Sequence, residues 1–174
     1  MTIDQAVKCQ VSNVKCTRSV RRPRKNKRTI ELDEKFNSVA ITKLINYVME
    51  GGKKTTAQKI VYGALDIVAK QTEKEPMEIF DLAIRNVSPA VEVKSKRVGG
   101  ANYQVPRDVR GERKLALAFR WILDAARSKK GKPMAEKLAE EIILASKNEG
   151  NAMKKKMDTH RMAEANKAFA HFSW

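Results

Sequence analysis

The sequence predicts a mainly α-helical single domain of six helices, with a protruding β-hairpin arm between the third and fourth helices and a basic N-terminal tail. Three observations predict this fold. Apolar residues recur at helical spacing from about residue 37 onward. Residues 90–109 instead have the composition of two strands around Gly99-Gly100, a pair that suits a two-residue hairpin turn. Residues 18–28 form a run of basic side chains without an acid.

The region before the first helix is predicted to have two parts, a loose extension over residues 1–17 and a basic tail over residues 18–36, followed by a helical domain over residues 37–174. A block of like charges repels itself and stays unfolded until an anion neutralises it. We therefore expect the tail to fold onto nucleic acid, with a merely solvated tail as the alternative. Its candidate RNA contacts are Arg21, Arg22, Arg24, Lys25, Lys27 and Arg28.

Three helices are predicted before the arm. The first has its apolar side chains at i, i+3, i+4 and i+7, namely Ile41, Leu44, Ile45 and Val48. Asn37 or Ser38 can cap its start and Gly51-Gly52 can end it. Thr55 or Thr56 is expected to open the second helix. The third has Pro76 in its first turn and ends before Pro89.

Three more helices are predicted after the arm. The fourth runs from about Gly111 to Ser128 and is followed by a basic loop over residues 129–133. Pro133 starts the fifth, and Gly150-Asn151 separates it from the sixth, which is expected to run from about residue 152 toward residue 171. Acidic residues on these helices (Glu136, Glu140, Glu141 and Glu164) form no paired catalytic constellation in the sequence.

Charge and composition limit the function classes. The formal net charge is +16 over 174 residues, which favours a polyanionic partner, chiefly nucleic acid or an anionic membrane surface. No apolar run approaches the roughly 20 residues of a membrane span. The glycine-lysine sequence at residues 51–55 lacks the first glycine of a phosphate-binding loop, because Tyr47 stands there. Nucleotide hydrolysis is therefore not expected.

Metal and cofactor chemistry is not expected either. The two cysteines, Cys9 and Cys16, and the two distant histidines, His160 and His171, cannot build a familiar zinc site. Two free thiols are the favoured interpretation, and a redox pair or a metal site shared with a neighbour remain open. We expect no cofactor, no metal and no catalytic residue.

Basic residues outside the tail fall at the first helix–helix turn, in the arm, at the start of the fourth helix and in the sixth helix. The candidate rRNA contacts among them are Lys53, Lys54, Lys94, Lys96, Arg107, Arg110, Arg113, Lys114, Lys154, Lys155, Lys156 and Arg161. Lysines near a helix N-terminus oppose the helix dipole, so an external anion is expected beside residues 154–156, with an ordinary solvated turn as the alternative.

Three stretches resemble one family, the bacterial-type ribosomal protein seven of the small subunit. Residues 89–106, PAVEVKSKRVGGANYQVP, closely resemble its hairpin. Residues 158–171, DTHRMAEANKAFAH, are similar to its C-terminal helix. Residues 52–54 (GKK) followed by residues 60–64 (IVYGA) match its first helix–helix turn. The likeness runs from about residue 21 to residue 174.

The resemblance implies a non-enzymatic structural constituent of the small ribosomal subunit that binds the 3′ major (head) domain of the rRNA and helps to nucleate head assembly. It also implies a position at the exit site near tRNA and mRNA, beside neighbouring ribosomal proteins of the head and platform. The arm tip is the tRNA-proximal candidate, and it consists of Arg97, Val98, Gly99, Gly100, Ala101 and Asn102.

The sequence departs from the family pattern at the base of the arm, where Arg107 replaces an apolar residue and Gly111 a proline. A more basic and more flexible base is expected. No membrane partner is expected, and the location is predicted as a cytoplasmic ribosome, with an organellar one open. A free-standing architectural nucleic-acid-binding protein and an RNA-modifying enzyme are the competing hypotheses, and the second lacks a cofactor motif.

Overall fold

The computed structural model describes residues 30–172, and within them six α-helices and one hairpin follow in the predicted order. Helices α1 (Val39–Val48), α2 (Lys54–Thr72) and α3 (Pro76–Val87) precede strands β1 (Val91–Val98) and β2 (Ala101–Asp108). Helices α4 (Gly111–Ser128), α5 (Met134–Ser146) and α6 (Asn151–Ala165) follow, and a 3-10 helix spans Lys167–Phe172. The predicted fold class is confirmed.

Helix α5 lies at the centre of the helical body. It packs against α2, α3 and α4, because Leu138, Ala139, Ile142 and Ala145 present one apolar face at helical spacing and all are buried. The largest buried side chains beside it are aromatic, with the rings of Phe80 in α3 and Phe119 in α4 stacked at 6.4 Å between centroids. Full burial of each such side chain stabilises the fold by about 1.5–3 kcal/mol.

Two helix boundaries differ from the prediction. Helix α2 begins at Lys54, one residue before the predicted threonines. The sixth α-helix ends at Ala165 instead of continuing toward residue 171. The side-chain Nδ2 of Asn166 donates to the Met162 carbonyl at 2.8 Å and competes there with the last helical backbone hydrogen bond, from the Asn166 N–H at 3.2 Å. This local competition is typical of asparagine and ends regular helices. The chain continues as the tighter 3-10 helix.

Glu141, one of the scattered acidic residues noted in the sequence, is a buried acid on the apolar face of α5. Its side chain is 0% exposed. Its Oε1 accepts a hydrogen bond from the backbone N–H of Ala152 at 3.1 Å, and its Oε2 lies 3.0 Å from Nζ of Lys129. The carboxylate therefore neutralises a lysine and caps the start of α6, where the helix dipole favours a negative charge.

Asp33 fixes the chain just before α1. It is buried, its Oδ1 accepts a hydrogen bond from the Tyr62 hydroxyl at 2.7 Å, and its Oδ2 accepts from the backbone N–H groups of Lys35 and Phe36, both at 3.3 Å. Burial and this carboxylate raise the pKa of Tyr62 to about 12. Phe36 also packs against the core. These contacts lie in residues that the sequence analysis assigned to the tail, so we propose that the folded body begins near Leu32.

Two N-terminal deletions test that boundary. Removing residues 1–17 should leave the thermal transition nearly unchanged, because helical periodicity begins only later. Removing residues 1–36 should destabilise the body by about 2 kcal/mol, through the lost charged hydrogen bonds of Asp33. Differential scanning calorimetry of both truncated chains beside the full one measures this. A cooperative loss in the shorter deletion, or none in the longer one, would contradict the boundary.

Candidate nucleic-acid interface

The arm is a regular antiparallel hairpin that divides its basic residues between two faces. Lys96 pairs with Tyr103 and Arg97 with Asn102. Because directly opposed side chains point to the same face and successive ones alternate, Lys94 and Lys96 share a face with Tyr103, whereas Arg97 lies on the other. The sequence alone had grouped these cations together.

The tip of the arm is a two-residue turn whose geometry requires glycine. Gly99 and Gly100 have φ of 57° and 92°, and a Cβ on either would meet no atom within 4 Å. Their role is therefore backbone conformation, since two positive φ angles match a hairpin turn of the I′ kind. Arg97, Ala101 and Asn102 around the turn are exposed, so the tip presents a cation and an amide to solvent.

Helices α4 and α6 hold the base of the arm. The backbone N–H of Ala90 donates to Nε2 of His160 in α6 at 3.3 Å, and Nε of Arg113 in α4 lies 3.1 Å from Oε2 of Glu92. The Val109 N–H closes the hairpin by donating to the Ala90 carbonyl at 3.1 Å. These contacts give His160 a role in positioning the arm.

A second contact fixes the face of the arm that carries Tyr103. The Tyr103 ring lies 5.1 Å from the Phe169 ring in the 3-10 helix, centroid to centroid, and Val105 on the same face is buried. Aromatic pairs at this separation contribute about 0.5–1.5 kcal/mol beyond the area they bury. The opposite face, with Arg97, Asn102 and Gln104, is exposed and available to a polyanion, and on the Tyr103 face Lys94 and Arg107 also remain exposed.

The three lysines of α6 have different environments. Lys154 and Lys155 are exposed, as is Arg161, which lies two turns after Lys154 on the same side of the helix. Lys156 is half-buried and donates through Nζ to the Asn86 carbonyl at the end of α3, and burial lowers its pKa. Lys156 therefore supplies a hydrogen-bond donor to a carbonyl at the C-terminal end of α3. Its contact with rRNA stays a prediction, and its Nζ is less accessible to a phosphate than those of Lys154 and Lys155.

The turn between α1 and α2 presents the second group of cations. Gly51 and Gly52 have φ of 58° and 78° and allow a tight turn, after which Lys53 stands at the N-cap of α2 and Lys54 begins the helix. Both lysines are exposed. Beside them, the guanidinium of Arg127 at the end of α4 lies 3.0 Å from Oε1 of Glu50, which brings α4 to this turn.

Two groups of the described cations lie toward opposite ends of α4, whose 18 residues span about 27 Å. Other exposed cations, such as Lys70, Arg85 and Lys147, belong to neither group. The arm-side surface comprises Lys94, Lys96, Arg97, Arg107, Arg110, Lys154, Lys155 and Arg161. The turn-side surface comprises Lys53, Lys54 and Lys130, with Arg127 beside them paired to Glu50. Only the packing of α4 against its neighbours separates these two surfaces in space, because their residues come from several distant segments of the chain.

The structure modifies three further predictions. Arg113 is paired with Glu92, and Lys114 beside it is half-buried. Gly111 begins α4 regularly, with Arg110 at the N-cap. Arg127 and Lys130 were missed: the basic loop after α4 was visible in the sequence, but only the fold places it beside Lys53. The six tail residues, the extension and both cysteines lie outside the described residues.

No described group of three or more His, Cys, Asp or Glu side chains could hold a metal ion. Among the described helices, none is long and apolar enough to cross a membrane. The protein thus has a helical body, a basic hairpin whose base is fixed by two helices, and two separate cationic surfaces. This combination is typical of RNA-binding proteins that contact a folded nucleic acid through side-chain charge and shape.

Comparison with known proteins identifies the family within that class. The family model described as ribosomal protein S7p/S5e matches residues 20–167. The small ribosomal subunit protein uS7 of Thermotoga maritima is 60% identical over 155 residues, covering 89% of this chain and all of the relative. The uS7 proteins of Thermotoga petrophila and Caldanaerobacter subterraneus are 58% and 57% identical, over 89% and 87% of this chain. The chain belongs to the ribosomal protein S7p/S5e family.

Family membership confirms the resemblance found in the sequence. The chain is a structural constituent of the small ribosomal subunit and part of the ribosome, and it acts in translation with rRNA and other ribosomal proteins as its partners. The family is one of structural proteins and not of enzymes.

Proposed function

We propose that this protein binds the 3′ major (head) domain of small-subunit rRNA, helps to nucleate head assembly, and lies at the exit site near tRNA and mRNA. The observation that carries the proposal is that two groups of exposed cations, the arm-side and the turn-side surface, lie near opposite ends of α4, a helix about 27 Å long. A protein with one cationic surface can bind one stretch of phosphates, whereas two fixed surfaces bind RNA segments that fold toward each other. Such a protein stabilises a junction, which is what early assembly requires.

The arm and tail extend this contact. The exposed face of the hairpin, with Arg97 and Asn102 at its tip, projects from the body and is the proposed neighbour of exit-site tRNA and mRNA. The tail is proposed to order on rRNA through Arg21, Arg22, Arg24, Lys25, Lys27 and Arg28. Phosphate contacts of this kind position a protein without reading sequence, so specificity comes from the shape of the RNA.

Footprinting of the head-domain rRNA with two paired variants tests the proposal. Changing Lys53 and Lys54 together to Gln should remove protections at one set of nucleotides, and changing Lys154 and Lys155 together to Gln should remove a different set. Each lost phosphate contact should also shallow the log–log dependence of affinity on salt by roughly 0.7–0.9. Changing Lys156 to Gln is the matched control, because its Nζ is already bound to a carbonyl.

Two outcomes would contradict the proposal. Loss of one common set of protections in both double variants would show that the two surfaces bind a single RNA segment. Absence of any protection by the unaltered protein on its own head-domain rRNA, with competing duplex DNA bound equally well, would favour non-specific architectural binding.

A further inference from the structure

A groove opens between the α1–α2 turn and the start of α5, with a volume of about 600 Å³. Its floor is apolar and consists of Val48, Ala57, Ile60 and Met134. Its rim is polar, with Lys53, Thr56 and Arg127 among the residues that line it. An apolar floor with a few polar groups at the edge is typical of a site for a flat organic ligand, and this volume is within the usual range.

Among the residues that line the groove, the cations Lys53 and Arg127 outnumber the single acid. Glu50 is the only acid that lines it, and this carboxylate is paired with Arg127 at 3.0 Å. Lys53 is on the rim, Lys54 is exposed in the first turn of α2, and Lys130 is exposed on the loop between α4 and α5. On the same loop as Lys130, Lys129 and Lys132 are bound to the acids of α5 and do not add to this field. An apolar site in a positive field is complementary to a ligand that combines a hydrophobic ring with a negative charge.

We propose that this groove holds one unstacked base of the small-subunit rRNA, with the adjoining phosphate at Lys53. The inference rests on the proposed rRNA binding and adds to it a specific subsite. A splayed-out base supplies the flat ring, and the Thr56 hydroxyl on the rim can donate or accept a hydrogen bond to its edge. The guanidinium plane of Arg127 offers a stacking surface, as arginine does for unstacked bases in RNA-binding sites.

Two neighbouring threonines provide a matched pair of variants. Thr56 lines the groove, whereas Thr55 is exposed on the same helical turn and does not line it. The Thr56→Trp change should fill the groove and lower the affinity for head-domain rRNA by about five- to 150-fold, the range that loss of one stacked base corresponds to. The salt dependence of binding should not change, because no charge is lost. The Thr55→Trp change should bind like the unaltered protein.

A measurement on the unaltered protein covers the case in which the Trp variant does not fold. The methyl resonances of Met134 and Ile60 should move upfield when head-domain rRNA binds, because a base stacked above them has a ring current that a phosphate lacks. The methyl of Ile67, two turns further along α2, should not move in this way. Chemical probing should then show one nucleotide that is protected by the unaltered protein and becomes reactive with Thr56→Trp.

The possible results separate this inference from the wider proposal. Failure of the unaltered protein to bind head-domain rRNA would refute rRNA binding and the subsite together. Normal binding with equal affinity for both Trp variants and no ring-current shift would overturn the subsite alone. Normal binding by Thr56→Trp to bare rRNA, with failure only when neighbouring small-subunit proteins are added, would overturn it in favour of a protein occupant.

Discussion

Replacing Glu141 by alanine is expected to destabilise the folded body by about 3–5 kcal/mol, the range seen when one partner of a buried ion pair is removed. Total stabilities of single domains are only about 5–15 kcal/mol, so such a loss would leave much of the protein unfolded at moderate temperature. The reason is the complete burial of the carboxylate, which is bound on one oxygen by the Ala152 N–H and faced on the other by Lys129.

The surrounding chain is built around this carboxylate. Gly150, which precedes α6, has φ of 95°, and a Cβ on it would lie 2.9 Å from Oε1 of Glu141. Lys129 lies between Glu141 and Glu140, and Lys132 also donates to Glu140, which raises the pKa of Lys132 and lowers that of Glu140. Removing Glu141 therefore leaves a buried cavity and a buried N–H without its acceptor.

Three control variants identify the cause of the loss. Glu141→Gln keeps an acceptor for the Ala152 N–H and removes only the charge, so it should be less harmful than alanine. Glu140→Ala removes a half-exposed carboxylate and should cost at most about 1 kcal/mol. Gly150→Ala should be destabilising through both its φ and the close contact. Chemical unfolding curves measure all four, and a Glu141→Ala loss no larger than that of Glu140→Ala would show that the buried pair is not needed.

Much of the fold could be predicted because each element carries a local signal. The four apolar side chains of α1 have helical spacing and form one buried face, and the Gly99-Gly100 pair admits few turns other than a hairpin. Glu141 shows what such patterns leave out. It lies three residues after Leu138 and four before Ala145, on the apolar face, so periodicity could have placed it inside. Its charge suggested the surface instead, and its partner Lys129 is distant enough in sequence that only packing joins them.

The candidate site was less predictable for a related reason. A sequence shows how many cations a segment has but not which of them internal acceptors already bind. Arg113 is paired with Glu92, and Lys156 is bound to the Asn86 carbonyl, 70 residues away in the chain. Conversely, Lys130 joins the turn-side surface only because α4 returns to the α1–α2 turn. Tertiary contacts determine which cations remain exposed, and no local sequence pattern encodes those contacts.

Shortening the arm is expected to have the largest effect on function while leaving the helical body folded. The strand register determines how this must be done. Deleting residues 97–102 and closing the turn with Asn-Gly leaves Lys96 opposite Tyr103, as in the full arm. Tyr103 then keeps its contact with Phe169, and the hydrogen bond from Ala90 to His160 is untouched. Assembly onto rRNA should survive, because the tail, the α1–α2 turn and α6 still bind.

What should change is behaviour at the proposed exit site. The deletion removes Arg97 and the exposed tip, so we expect weaker retention of exit-site tRNA or poorer maintenance of the reading frame. Ribosomes that carry the short arm, compared with unaltered ones for exit-site tRNA occupancy and frameshifting, provide the measurement. Arg97→Gln is the matched control for charge, because it removes the cation and keeps the length and turn of the arm.

A second deletion distinguishes shape from length. Removing only residues 97–101 before the same Asn-Gly closure would place Lys96 opposite Asn102, which slips the register by one and turns one strand's side chains to the other face. That variant should lose the contact of Tyr103 with Phe169 and loosen the base of the arm, which the six-residue deletion does not.

Equal exit-site occupancy and frameshifting in the six-residue deletion and the unaltered ribosome would show that the tip is a solvated loop without a partner. Failure of that deletion to assemble would instead make the arm part of the primary rRNA-binding surface.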